Sequence, residues 1–167
     1  MKALPERSTT EWRRIDAAHH IHPFTDPQRM AGRGGTRVIV RGEGVWLWDS
    51  DGNRILDGLA GLWCVALGYG RRELAEVAEH QIRTLSYYSS FLDTTTPATI
   101  ELARMIAERT PPGLDQVFFG NSGSESIDTI VRLVRHFWTL EGRPEKRILI
   151  SREYAYHGST LAGASLG

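Results

Sequence analysis

The sequence predicts an α/β chain in two parts, a small β meander followed by helices and strands that open a parallel or mixed sheet. Three observations predict it. Runs rich in β-formers at 36–40, 44–49 and 54–57 are separated by turn residues. From Arg72 onward the apolar residues recur at helical spacing. Between residues 116 and 151 a strand-like run, a helical run and a second strand-like run follow one another, the spacing of a βαβ unit. Residues 1–70 are accordingly expected to contribute to a small domain, and 71–167 to form the first part of a larger one.

In chain order, residues 1–10 are polar and expected to be loose. Residues 12–20 suit a short helix that His22-Pro23 breaks, and 27–35 read as a Gly-rich loop. The first two β-runs follow, and Asp49-Ser50-Asp51-Gly52-Asn53 has the turn chemistry of a hairpin leading into the third. Three short strands bury little alone, so the meander is expected to dock on something larger. Leu74, Val77, Ala78, Ile82 and Leu85 mark one helix; Ile100, Ala103, Ile106 and Ala107 mark another, stopped by Pro111-Pro112-Gly113. Residues 116–119 read as a strand, 122–140 as an amphipathic helix and 147–151 as a second strand. In that helix Ile127, Ile130, Val131, Val134 and Trp138 form the expected core stripe. Residues 158–167 look like the opening of a further element, so the sequence is expected to stop inside a domain.

Composition narrows the function. Lys+Arg and Asp+Glu both number 20, so no net field attracts nucleic acid or an anionic membrane. No stretch approaches the roughly twenty apolar residues of a membrane span, and no secretory signal is evident. The single cysteine, Cys64, closes no internal disulfide and suits a reducing compartment, so a cytoplasmic protein is expected. Its apolar setting suggests a buried, inert thiol.

The strongest chemical signal is Asn121-Ser122-Gly123-Ser124-Glu125, a small turn between a strand-like run and a long helix. Ser122 and Glu125 fit a capping box. The free N–H groups of the first turn, the helix dipole and the Ser124 hydroxyl together suit a phosphate, and Gly123 permits close backbone approach. A well-capped helix that binds nothing satisfies the same pattern, and the anion reading requires Glu125 to point away. The second signal, Tyr154-Ala155-Tyr156-His157-Gly158-Ser159-Thr160, follows the second strand-like run, where ligands of open α/β sheets bind. An aromatic ring there can stack on a flat cofactor or simply pack.

Taken in order, Asp57-Gly-Leu-Ala-Gly-Leu-Trp-Cys64 with Gly68-Tyr-Gly70, Asn121-Ser-Gly-Ser-Glu125 and Tyr156-His-Gly158 resemble the class III aminotransferases, which are fold-type-I pyridoxal-phosphate enzymes. His19-His20-Ile-His-Pro-Phe24 and Ser124-Glu-Ser-Ile-Asp-Thr129 resemble the omega-amine:pyruvate branch in particular. The resemblance implies that 71–167 begins the cofactor-binding large domain. It implies that Ser122, Gly123 and Ser124 hold the phosphate of pyridoxal 5'-phosphate, that Tyr156 stacks on its ring, and that His157 and Gly158 shape that loop. Trp63 matches an aromatic wall of the substrate pocket, with Phe24 near it and Phe91 contributing across a dimer interface. The substrates implied are an omega- or hydrophobic amine and a keto acid such as pyruvate, and the parent is a homodimer. His19, His20 and His22 match the ordinary segment before the pocket, so no metal is expected.

One departure stands out. The family's lysine forms a Schiff base with the cofactor aldehyde and later moves the substrate proton. The only lysines here are Lys2 and Lys146, and neither falls at the matching position. The chain is therefore expected to be an N-terminal portion of the parent, with no catalytic lysine and no transaminase activity of its own. Aminomutase or decarboxylase chemistry of the same class, or a non-catalytic remnant, are the rival readings.

Overall fold

The computed structural model describes residues 4–167, and Lys2 lies outside them. The chain divides into two units, the first running to Tyr87 and the second spanning Tyr88–Gly167.

In the first unit, helix α1 (Thr9–His19) starts earlier than expected because Ser8 and Glu11 close a capping box. The Ser8 hydroxyl accepts from the Glu11 N–H at 3.2 Å, and Glu11 Oε2 accepts from the Ser8 N–H at 3.2 Å. A short helix α2 (Pro27–Gly32) occupies most of the expected loop. Asp26 accepts from the N–H groups of Gln28 and Arg29 at 2.9 and 3.2 Å, and Pro27 takes the first helical position, where its missing N–H is not needed.

Strands β1 (Ile39–Glu43), β2 (Trp46–Asp49) and β3 (Arg54–Leu56) form the expected antiparallel meander, in the order β1-β2-β3. Cross-strand partners Arg41 and Trp48 are also a cation–π pair, with the guanidinium 3.5 Å from the ring centroid. The turn between β2 and β3 is built on Asp49, only 4% exposed. Its Oδ1 accepts from the backbone N–H groups of Asp51 and Asn53 at 3.1 and 2.8 Å, and the Asn53 amide donates to Oδ2 at 3.0 Å. The Asn53 side chain above all holds the Asp49 carboxyl below the usual carboxylate range. Asp49→Ala strands both loop N–H groups, and is expected to speed hydrogen exchange at the Asp51 and Asn53 amides about tenfold or more, read by NMR. Helix α1 docks on this turn: Thr9 Oγ1 donates to the Ser50 carbonyl at 2.9 Å, and Arg13 meets Asp51 at 2.7 Å.

After β3 the backbone turns left-handed for four consecutive residues, Ala60–Trp63 (α3), with φ of 49°, 59°, 64° and 64°. Helix α4 (Arg72–Leu85) closes the first unit, its exposed face carrying the i,i+4 pairs Arg72–Glu76 and Glu79–Arg83.

The second unit holds α5 (Pro97–Ala107), capped by Thr96, then α6 (Gly123–Leu140) and α7 (Leu161–Ser165). The two strands expected at 116–119 and 147–151 do not form: among the described residues neither run pairs with another strand. Apolar β-rich composition signals a segment suited to a sheet, but the ladder itself comes from neighbours on either side. Without them Ile148 and Ile150 are about nine-tenths exposed, at 89% and 93%. The α6 stripe shows the same effect. Ile127, Ile130, Val131, Val134 and Trp138 share one face as the period predicts, yet none is buried, and no apolar side chain among the described residues is. Periodicity fixes which face is apolar; a facing layer is needed to cover it. Cys64, expected to be buried, is likewise exposed.

Candidate functional site

The N-terminus of α6 and the loop before α7 form one open cleft of about 570 Å³, lined by Ser122, Gly123, Ser124, Tyr156, His157 and Gly158 together with Ser126 and Ile127. The six residues singled out in sequence from two motifs more than thirty positions apart are thus brought together. Ser122 is the N-cap; its hydroxyl accepts from the Glu125 N–H at 3.1 Å. The backbone N–H groups of Gly123 and Ser124 precede the first intrahelical bond, and neither has an acceptor among the described residues.

Glu125 does not line this cleft. The expected capping box is modified: Glu125 Oε2 accepts from the N–H of Asn121 at 2.9 Å, not from the N-cap residue. Glu125 lines a second cleft instead, with Phe91, Phe118 and Asn121. Bonded to the Asn121 N–H, its carboxylate does not claim the N–H groups of Gly123 and Ser124, which stay available to an anion.

The Tyr156–Gly158 loop is tied to the helix at Ser124. Ser124 Oγ accepts from the Ser159 N–H at 3.0 Å, which leaves the hydroxyl hydrogen free to donate elsewhere. Thr160 Oγ1 lies 2.7 Å from Asp128 Oδ1 and 3.1 Å from the Ser124 carbonyl, and Asp128 Oδ1 also accepts from the Gly163 N–H at 3.1 Å. Asp128 and Thr160 pin α7 against α6, a role sequence reading missed, since nothing local in Asp128-Thr129 announces a partner 32 positions on. Gly158 is buried with φ of 123°, and a Cβ there lies 2.7 Å from Ser124 Oγ and 2.8 Å from Ser124 Cα. Only glycine lets the loop approach the helix this closely. His157 Nε2 is buried without a hydrogen-bond partner among the described residues. Tyr156, 71% exposed, presents its ring to the cleft.

Phe91 sits in the second cleft and not with Tyr156. Phe24 and Trp63 belong to the first unit, are strongly exposed, and both have left-handed backbones. Phe24 follows a segment braced by Asp16, whose carboxylate oxygens accept from His20 Nδ1 at 2.9 Å and His22 Nε2 at 2.8 Å. These bonds, that of His22 first, hold the Asp16 carboxyl below its ordinary value. His19 takes no part in the cluster.

Residues 30–167 match the family described as Aminotransferase class-III. Over 164 residues, 98% of the chain, it is 50% identical to the putrescine–pyruvate aminotransferase of Pseudomonas aeruginosa, and covers 36% of that protein. It is 43% identical over 131 residues to the beta-alanine–pyruvate aminotransferase of the same organism, covering 78% of this chain and 29% of that one. Among solved structures, an (S)-enantioselective omega-transaminase from Thermomicrobium roseum superposes with a TM-score of 0.92 at 43% identity, over 97% of this chain and 36% of that one. The chain thus spans about a third of the length of such relatives.

Proposed function

The chain belongs to the class III aminotransferases, pyridoxal-phosphate-dependent enzymes of fold type I, and from that premise we propose that the protein carrying it moves an amino group from an amine to a keto acid such as pyruvate. The observation that carries the site assignment is the cleft at the start of α6, where unclaimed N–H groups of Gly123 and Ser124, the Ser124 hydroxyl and the Tyr156 ring converge.

The residues present fit pyridoxal 5'-phosphate. Gly123 and Ser124 supply backbone donors at the positive end of an 18-residue helix, Ser124 adds a hydroxyl donor, and the nearby carboxylates are engaged elsewhere, Glu125 by the Asn121 N–H and Asp128 by Thr160 and Gly163. Tyr156 offers a flat ring for stacking, on a loop that Gly158 and Ser124 hold against the helix. When bound, the cofactor supplies the electron sink that lets an amino group pass from donor to acceptor. The chain's own residues bind and orient it: Ser122 shapes the turn, Gly123 and Ser124 anchor the phosphate, Tyr156 covers the ring, and His157 and Gly158 set the loop.

Trp63 and Phe24 are assigned to the apolar wall of an amine pocket, and Phe91 to the pocket across a homodimer interface, through their match to the family pattern. Aromatic walls suit a hydrophobic or terminal amine, and the similarity to a putrescine–pyruvate enzyme supports a donor of the latter kind. Residues 1–70 are assigned to the small domain and 71–167 to the cofactor-binding domain. No helix among the described residues is long and apolar enough to cross a membrane, and the lone cysteine supports a cytoplasmic setting.

Alanine formation from pyruvate by the intact protein, with putrescine and an arylalkyl amine as alternative donors, tests this reading. No alanine from any amine, or release of carbon dioxide in its place, overturns it. Ser124→Ala is expected to weaken cofactor affinity about tenfold, through the loss of one hydrogen bond to a charged group, read by absorbance titration of the intact protein. Unchanged affinity removes Ser124 from the phosphate site.

A further inference from the structure

The left-handed turn that carries Trp63 is held from one side by a connected set of groups that the functional reading leaves unused. Four successive left-handed residues, three of them with side chains, are disfavoured by about 1–2 kcal/mol per non-glycine residue, so such a turn persists only where its surroundings dictate it. Those surroundings are Asp57 and Tyr69. Asp57 Oδ2 accepts from the Gly61 N–H at 2.8 Å, and Oδ1 accepts from the Leu59 N–H at 3.2 Å. The Tyr69 hydroxyl donates to the same Oδ2 at 2.7 Å. That hydroxyl, before the two backbone donors, holds the Asp57 carboxyl below its usual range, and the carboxylate in turn pushes the phenol up.

Tyr69 is itself fixed to the meander. Its N–H donates to the Gly44 carbonyl at 2.8 Å, and the Gly44 N–H donates to the Tyr69 carbonyl at 3.0 Å, in the short hairpin between β1 and β2. Its ring lies over Gly42, where a Cβ would come within 2.6 Å of Tyr69 Cγ. A rigid path thus runs from the hairpin through Tyr69 and Asp57 into the backbone beneath Trp63. The indole is 83% exposed, so within the first unit its placement depends on that backbone and not on packing of the ring.

We infer that Asp57 and Tyr69 are positioning residues that fix the left-handed turn under Trp63 and thereby set which amines the protein accepts. The inference rests on the transaminase reading and on Trp63 as a pocket wall. Tyr69→Phe removes one hydrogen bond and keeps the ring on Gly42; Asp57→Asn leaves one acceptor oxygen in place of two, so at least one of the three donors loses its partner.

Both variants are tested in the intact protein by hydrogen exchange over residues 57–65 and by kcat and KM for a small terminal diamine against a bulky arylalkyl amine. The expected result is exchange about tenfold faster at 57–65 with the start of α6 unchanged, and a ratio of kcat/KM between the two amines shifted about tenfold. The shift should lie mainly in KM, with cofactor absorbance retained. Exchange unchanged in Tyr69→Phe, or an altered turn with the same amine ratio, overturns the positioning role while the wild type still transaminates. A wild type that transfers nitrogen from no amine overturns the functional reading itself, and the selectivity role with it.

Discussion

Supplied with pyridoxal phosphate, an amine and pyruvate, the 167-residue chain by itself is expected to form no alanine above background. The prediction turns on its lysines. Lys146 is fixed at the wrong end of α6: its ammonium lies 3.5 Å from the centroid of the Trp138 ring, and its N–H donates to the Arg143 carbonyl at 3.1 Å. The cleft lies at the opposite end, about 22 Å away along the helix from Trp138 to Gly123. A side chain that reaches only a few ångströms cannot cross that length. Lys2, the other lysine, lies in the polar N-terminal tail, away from the family's lysine position. A lost lysine nucleophile removes the route to nitrogen transfer altogether, so the expected effect is total. Chromatographic detection of alanine made by the purified chain, and abolished by Lys146→Ala, would contradict it.

Gly158→Ala in the intact protein is the substitution expected to do most damage, weakening cofactor affinity about a hundredfold or more. Two penalties coincide. At φ of 123° the backbone is one that side-chain-bearing residues rarely adopt, and the new methyl would lie within 3 Å of three atoms of Ser124. One of those atoms is the Ser124 Cα, so rotating a side chain gives no relief. Either the loop withdraws, taking Tyr156 with it and breaking the Ser159 to Ser124 hydrogen bond, or the start of α6 is displaced. Both outcomes disperse the donors gathered at the proposed phosphate position. A cofactor titration showing affinity within twofold of wild type, a factor set by ordinary surface substitutions, would show that the close approach is not needed.

Much of the fold was legible where a local rule decides it. Ser122 as N-cap, the extent of α6 to Leu140, the meander and the Asp49 turn all follow from capping, period and turn chemistry. The start of α1 and the whole of α2 were equally local, written in Ser8-x-x-Glu11 and Asp26-Pro27, and were missed because polar and Gly-rich composition outweighed the caps. The grouping of Ser122, Gly123 and Ser124 with Tyr156, His157 and Gly158 came from resemblance; no local pattern joins positions 35 residues apart. The left-handed turn was invisible for a different reason. Ala-Gly-Leu-Trp has no preference for that hand, and the cause sits in Asp57 and in Tyr69, twelve residues from its partner. Strand pairing at 116–119 and 147–151 and burial of the α6 stripe were overstated, because a pattern of apolar residues records what a segment suits and not what lies beside it.

The contact of Tyr69 with Gly42 has a consequence for how such a protein diversifies. A side chain at position 42 meets the Tyr69 ring at under 3 Å, so on the inferred role of Tyr69 that position is closed to substitution unless the ring moves. The indole above it, largely free of contacts within its unit, can be exchanged for smaller or larger groups at little cost to the scaffold. With Trp63 at the proposed pocket wall, drift and laboratory libraries alike should find new amine preferences by swapping the residue at position 63 on an unchanging frame. Variants at 42, 57 or 69 should surface rarely, and mostly as losses.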